Sequence, residues 1–321
     1  MRVTLFIREN CPDCERAKEW LDILQEEYPH DLYMVNVDQD YALKDKYIEE
    51  VPVLEVGPYK LKAPFTETEV RVTLGAAEQG GYHHGTNLSE PQHKQAILAN
   101  RILFYFSKHW LAVFNFFVFI FVGLPFLAPV LMKSGAELPG RIIYKVYSPL
   151  CHQLAFRSWF LFGEQPAYPL ERANTSFIPY EEIIGGTPED LSAAHNFLGN
   201  ELVGYKVALC ERDIAIYGGI LMAGLLFSLL RKRLKPLPLL LWAILGVAPM
   251  GLDGGSQLFA YIPFIDFPVR ESTPLLRTIT GLLFGIMNVW MAYPYVEEAM
   301  NETRALVYTK LARVRTSQNE Y

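Results

Sequence analysis

The sequence predicts an α/β domain over residues 1–75, followed by an all-α polytopic membrane domain with four transmembrane helices over residues 110–300. Two observations predict it. Residues 1–100 mix charged and apolar side chains, whereas later apolar residues gather into runs without a charged residue: Trp110–Met132, Ile214–Leu230, Pro236–Leu252 and Thr278–Val296. A helix needs roughly 17–25 apolar residues to cross a bilayer, and all four runs reach that length, the middle two at its short limit. Four such runs in one chain exceed what the buried helices of a water-soluble protein explain. The second observation is that a strand pattern runs into Cys11-Pro12-Asp13-Cys14 and then into a helix pattern.

Taken in order, Val3–Ile7 is a β-branched, apolar strand, and Glu15–Gln25 sets Ala17, Trp20, Leu21 and Leu24 on one helical face. Leu32–Val37 reads as a second strand, Tyr41–Tyr47 as a helix and Val53–Val56 as a third strand. A βαβ start with a CxxC at the strand-to-helix turn is a thioredoxin-like signature. The chemistry fits, because the partial positive charge of a helix N-terminus stabilises a thiolate. Cys11 is then expected as an exposed nucleophile and Cys14 as the resolving thiol. Val51-Pro52 precedes the third strand, where this fold keeps a cis peptide bond lining the substrate groove, so Pro52 joins the expected site. A CxxC can also hold metal or be inert; strand, helix and proline together favour redox chemistry.

With ENCPDCERAKEWL and VPVLEVGPYKLKAPF, the segment Arg2–Phe65 resembles the small bacterial glutaredoxin-like family. The resemblance implies thiol–disulfide oxidoreduction at Cys11/Cys14, with a cytoplasmic thiol/disulfide protein or a low-molecular-weight thiol as partner. The chain lacks the later Gly-Gly-Asp-type segment of glutathione-binding glutaredoxins and has Gly57-Pro58 nearby instead.

Residues 76–109 read as a linker and juxtamembrane helix. Gly75, Gly80, Gly81 and Gly85 suggest a flexible connector, within which His83-His84 is expected to be solvated. Pro91–Trp110 suits a helix lying on the inner leaflet, and Pro125 and Pro129 are expected to kink or end the first span. No cleavable signal peptide precedes the first strand, so the first domain is expected in the cytoplasm. Arg231, Lys232, Arg233 and Lys235 mark the link between the second and third runs as cytoplasmic. Both termini then lie inside a bacterial inner membrane, among its lipids. Residues 133–213 form a large extracytoplasmic segment, and residues 301–321 a cytoplasmic tail with Arg304, Lys310, Arg313 and Arg315. The net charge of −6 is split between compartments, and nothing in it points to nucleic acid.

That topology gathers a polar cluster at the outer end of the spans: Cys151-His152-Gln153 with Arg157, Cys210-Glu211-Arg212-Asp213, Asp253 with Gln257, and Arg270-Glu271 with Arg277. Cys210, Asp213 and Tyr217 fall at i, i+3 and i+7, which is one face of a helix. Together these stretches resemble a family of uncharacterised bacterial membrane proteins, a domain of unknown function, over residues 141–296. Its features are Cys-His-Gln with a downstream Arg-Ser, Cys-x-Arg-Cys, Asp-Gly…Gln and Arg-Glu-Ser. Asp213 stands where that family has its second cysteine. An aspartate can replace a thiolate on zinc but cannot form a disulfide.

Three readings of the cluster stay open. Cys151, His152, Cys210 and Asp213, with Asp253 as an alternate, are a candidate zinc set, either complete or as three ligands plus water. Cys151 and Cys210 could form a disulfide outside the membrane. Or Arg157, Arg212, Arg270 and Arg277 pair structurally with Glu211, Asp213, Asp253 and Glu271. On the metal reading the chain is an integral-membrane metalloprotein acting on a lipid or small molecule, with Asp253 or Glu271 as general base. A redox-regulated transporter or assembly subunit is a further alternative. Gly218, Gly219, Gly251, Gly254 and Gly281 are expected at helix contacts.

Direct electron exchange between the two cysteine pairs is disfavoured. One span separates Cys14 from Cys151, so about 30 Å of hydrocarbon would lie between thiols that must touch to exchange. A relay would need a quinone or similar carrier, or a first span that re-enters.

Overall fold

The computed structural model describes residues 1–81, 90–230, 234–259 and 269–318, with side chains except at 42, 90–93, 258–259 and 312–318. His83, His84 and the basic residues 231–233 lie outside the described residues. The chain divides into one unit of Met1–Trp110 with Glu298–Tyr321 and another of Leu111–Glu297.

The first unit is a four-stranded mixed sheet in the order β2-β1-β3-β4, formed by β1 (Arg2–Ile7), β2 (Asp31–Asn36), β3 (Val53–Val56) and β4 (Tyr59–Lys62). Helix α1 (Pro12–Leu24) connects β1 to its parallel neighbour β2, and α2 (Tyr41–Tyr47) lies between β2 and β3. Strand β3 runs antiparallel to β1, and β4 antiparallel to β3. Helix α3 (Glu67–Gln79) starts with a capping box in which Thr66 and Glu69 satisfy each other's backbone N–H. It runs through Gly75, so the predicted connector begins later than the glycine pattern suggests.

Apolar residues on both sheet faces explain the layering. Val3, Leu5, Leu54 and Val56 meet Ala17, Leu21 and Leu24 of α1 and Val70, Leu74 and Ala77 of α3 on one side. Phe6, Val35 and Val53 meet Leu43 and Tyr47 of α2 on the other, together with Ala305. Ala305, within the segment expected as a tail, therefore contributes to this core. Arg304 also approaches Asp40 at 3.5 Å, and Tyr308 Oη donates to Gln39 at 3.0 Å.

The remaining helices include four long and apolar enough to cross a membrane: Lys94–Lys133, Glu211–Leu230, Leu239–Gln257 and Pro274–Leu311. The first lies within α4 (Glu90–Lys133), a single helix running through Pro125 and Pro129. The prolines do not end it. Pro125 has no N–H for the carbonyl of Phe121, and the Tyr147 hydroxyl donates to that carbonyl instead, at 2.8 Å.

Helix α5 (Glu137–Tyr147) follows, then β5 (Ser158–Leu161), α6 (Tyr180–Ile184), α7 (Leu191–Asn196), β6 (Gly199–Asn200) and β7 (Gly204–Cys210). The all-α expectation missed this antiparallel sheet, ordered β5-β7-β6, because its strands are short and lack clear alternation. It packs over Leu154, Phe156, Tyr168, Leu170 and Tyr180. Gly204, at φ 75°, lets β7 start against β5; a Cβ there would meet the Leu161 carbonyl oxygen at 2.2 Å.

Helix α8 (Glu211–Leu230) is the second span. The third consists of α9 (Leu239–Trp242), a π-helical turn at Ala243–Val247 and α10 (Ala248–Phe259), which carries Asp253 and Gln257 inside the helix. The fourth lies within α11 (Pro274–Gln318). Helices α8 and α11 cross closely at three glycines. A Cβ would lie 2.8 Å from the Leu282 oxygen at Gly219, 2.7 Å from the Arg212 oxygen at Gly281 and 2.2 Å from the Ile216 oxygen at Gly285. Among the described residues, Gly254 has only an Arg212 side-chain nitrogen within 4 Å and Gly218 and Gly251 have no neighbour there, so those glycines do not make the close helix contact expected of them.

Gly285→Ala should therefore push the two helices apart at a cost of about 1–3 kcal/mol. The thermal midpoint of the detergent-solubilised protein should fall, while Gly218→Ala leaves it unchanged. Equal midpoints for the two variants would count against this helix contact.

Candidate functional site

In the first unit, β1 ends at Ile7 and a short loop turns the chain into α1. Asn10 occupies the left-handed region at φ 53°, and the Glu9 N–H donates to Asp38 Oδ2 at 3.1 Å. Cys11 is the N-cap of α1, Pro12 occupies the first turn, and the Cys11 sulfur accepts the Cys14 N–H at 3.1 Å. Cys11 and Cys14 form a disulfide with their Cα atoms 5.3 Å apart.

Cys11 was expected to be exposed; it is only 6% exposed and Cys14 4%. As N-cap it turns its sulfur back onto the helix end, where the disulfide holds it. Pro52, buried at the entry to β3, follows a cis peptide bond, and Ala63-Pro64 is also cis.

In the second unit the β7–α8 junction organises a larger cluster. Cys210 is the last residue of β7, paired with Ser158, and α8 begins at the next residue. Cys210 therefore lies on the strand end rather than on a helical face with Asp213 and Tyr217. The junction still brings ligand atoms of Cys151, Cys210 and Asp213 within 4.8 Å of one another. The Cys210 thiol donates to Asp213 Oδ2 at 2.9 Å. The Cys151 sulfur accepts the backbone N–H of Gln153 at 3.4 Å and that of Cys210 at 3.3 Å. Both cysteines are free. Tyr217 packs its ring edge-on to Phe121 at 4.7 Å.

His152 and Asp253 stand apart from this trio. The His152 side chain is exposed, and its carbonyl accepts from His195 Nδ1 at 2.7 Å. Asp253 is buried and taken up by cations: Arg212 donates to Oδ2, Arg270 to Oδ1 at 3.1 Å, and Ser272 Oγ to Oδ2 at 2.8 Å.

A second ionic group lies beside it. Arg157 donates to both oxygens of Glu271, at 2.9 and 3.0 Å, and to Gln257 at 3.4 Å. Arg277 bonds Glu271 and reaches Glu211 Oε2 at 3.2 Å. All four expected arginines thus have carboxylate partners, while Asp213 takes the Cys210 thiol. Arg277, Glu211 and Glu271 are each at most 9% exposed. Cys151, Cys210, Asp213, Arg157, Arg212 and Arg277 are among the residues around a cavity of about 650 Å³.

The sequence reading missed the anchor of this site. Lys206 is wholly buried, and its ammonium donates to the carbonyls of Gln153 and His195, each at 2.6 Å, and of Ala194 at 3.5 Å. The only signal was one cation inside the apolar strand Tyr205–Cys210. Gln153, at φ 48° and 2% exposed, donates its side-chain amide to the Tyr144 carbonyl at 3.0 Å and the Ala208 carbonyl at 2.8 Å.

Electrostatics separates the two thiols. The Cys210 hydrogen bond, aided by the Gln153 N–H, holds the Cys151 thiol below its ordinary value against burial. The same interaction and burial push the Cys210 thiol well up. Burial drives Lys206 down to about 7, opposed by Cys151.

Residues 2–75 match a family model described as a glutaredoxin-like domain (DUF836), and residues 195–291 one described as a predicted membrane protein (DUF2085). The chain is also similar to an uncharacterized protein of Methanocaldococcus jannaschii. The two are 25% identical over 194 residues, which cover 59% of this chain and 92% of the relative.

Two predictions follow from the buried charges. Arg277→Met leaves two desolvated carboxylates without their shared partner and should cost about 3–5 kcal/mol in a thermal or denaturant titration. Combining it with Glu211→Gln and Glu271→Gln should recover much of the loss; strict additivity would show that the three do not interact. For Lys206, the folded value of about 7 lies below the ordinary 10.5. Between these the unfolded chain holds more protons, so stability rises with pH across that window, by up to about 1.4 kcal/mol per unit. Midpoints at pH 7 and 9 should show this rise, and Lys206→Met should lose that component.

Proposed function

From a chain that joins a glutaredoxin-like domain to a domain of a predicted membrane-protein family, we propose a membrane-anchored thiol–disulfide oxidoreductase working through Cys11 and Cys14. The observation that carries this reading is the Cys11–Cys14 disulfide at the N-terminus of α1, in a sheet with α1 and α3 on one face. The close pair can cycle between disulfide and dithiol, and the helix N-terminus favours the thiolate of the reduced form.

In the reductive direction the Cys11 thiolate attacks one sulfur of a substrate disulfide, and the other substrate sulfur leaves as a thiolate and takes a proton. The Cys14 thiolate then attacks Cys11 in the mixed disulfide, releasing the second substrate thiol and forming Cys11–Cys14. Two electrons pass to the substrate. Two molecules of a low-molecular-weight thiol, which leave joined as their disulfide, or one dithiol protein return them by the reverse exchange. Pro52, at the entry to β3, shapes the groove that receives the substrate. The cytoplasmic face of the membrane, which the charge pattern assigns to this domain, supplies such thiols.

The test is reduction of a low-molecular-weight disulfide by the full-length protein in detergent, with a dithiol as electron source. Cys11→Ser should lower the rate at least ~100-fold, because the remaining thiol, Cys14, has the resolving role in this scheme. Cys14→Ser should accumulate a mixed disulfide at Cys11, visible as a mass increment. Undiminished turnover in Cys11→Ser would remove the assignment.

A further inference from the structure

Independently of Cys11 and Cys14, we propose that Cys151, Cys210 and Asp213 form a three-ligand site for a zinc-class divalent cation, with a fourth coordination position open to the adjoining cavity.

The donor set is the first argument. Two thiol sulfurs and a carboxylate oxygen converge within 4.8 Å. A tetrahedral zinc ion with Zn–S bonds of about 2.3 Å sets its sulfur ligands roughly 3.8 Å apart, so only small shifts would seat the ion. Two thiolates select a soft or borderline cation over magnesium or calcium, and the carboxylate is an accepted third ligand.

The second argument is the hydrogen bonding at the Cys151 sulfur. It accepts two backbone N–H groups, from Gln153 at 3.4 Å and Cys210 at 3.3 Å. Amide donors aimed at sulfur neutralise part of its charge, as a metal-bound thiolate requires. The geometry is held in place at some expense. Gln153 adopts a left-handed φ of 48°, and its amide spans the carbonyls of Tyr144 and Ala208. Lys206 ties down the Gln153 carbonyl at 2.6 Å. A non-glycine residue kept at positive φ by its surroundings marks a position whose orientation matters.

The third argument is placement. Cys151 follows α5, Cys210 ends β7 and Asp213 lies in the first turn of α8, so three elements of one frame present the ligands. All three residues line the cavity of about 650 Å³, which leaves room for a water or a small oxygen ligand on the fourth position. Two thiolates and a carboxylate exceed a divalent cation by one negative charge. Arg157 and Arg212 line the same cavity, each paired with a carboxylate of its own, Glu271 and Asp253. His152 and Asp253 are outside this ligand set.

The test uses the full-length chain in a Cys11→Ser/Cys14→Ser background, purified under a phosphine reductant, so that no thiol of the first domain binds metal. Titration with cobalt(II) should give one equivalent bound, with sulfur-to-cobalt charge-transfer bands in the near ultraviolet and tetrahedral d–d bands in the visible. Cys151→Ser and Cys210→Ser should each lose about half of the charge-transfer intensity or more, and Asp213→Asn should weaken binding at least ~10-fold. Because a cysteine variant can fail to fold, a second measurement leaves these ligands intact. One equivalent of zinc should slow alkylation of both Cys151 and Cys210 at least ~10-fold, read by peptide mass spectrometry, with no effect on modification of surface lysines. Alkylation rates that ignore zinc, or charge-transfer bands of undiminished intensity in Cys210→Ser, overturn the proposal.

Discussion

Strand β7 ends at Cys210 and helix α8 begins at Glu211 with no connecting residue, and much of the second unit depends on that junction. Consecutive side chains leave it in different directions. Cys210 and Asp213 turn toward Cys151, Glu211 toward Arg277, and Arg212 toward Asp253. The physical constraint is desolvation. Glu211, Asp253, Glu271 and Arg277 are all buried, and an ion removed from water is tolerated only where another ion or several hydrogen bonds replace it. Each charge therefore fixes its partner's position, and the segments that carry them are pinned together.

Lys206 extends the same constraint into the sheet. Its three ammonium hydrogens match three carbonyls, on Gln153, Ala194 and His195, so one side chain ties the Gln153 turn and α7 to β7. The helix pair behind the junction is governed by shape instead. Glycines at 219, 281 and 285 let the α8 and α11 backbones come close, which suits a lipid environment where apolar burial gives helices little reason to associate. The first unit follows ordinary aqueous rules, with apolar residues on both sheet faces.

Much of the fold was legible in the sequence. The strands around Cys11 and before Cys14's helix, the third strand at Val53–Val56 and the four apolar runs all rest on local periodicity, which a chain displays without its partners. The antiparallel sheet within 133–213 was not legible, because β6 has two residues and β5 four, too short for alternation to register. The continuity of α4 through its prolines was not legible either, since it depends on Tyr147, distant in sequence from the carbonyl it serves.

The residues of the candidate sites were readable as a set; their grouping was not. The sequence by itself determined which groups are candidates for chemistry, because thiols, carboxylates and arginines at the ends of apolar runs are conspicuous by composition. Tertiary structure decided how they divide: Cys151, Cys210 and Asp213 in one group, Asp253 with Arg212 and Arg270 in another, Arg157, Arg277, Glu211 and Glu271 in a third. It also decided that Cys11 is buried and that Lys206 belongs to the site. The reason is physical. Side-chain type is local, whereas burial, convergence of ligand atoms and the choice of counter-ion depend on segments that only folding brings within a few ångströms.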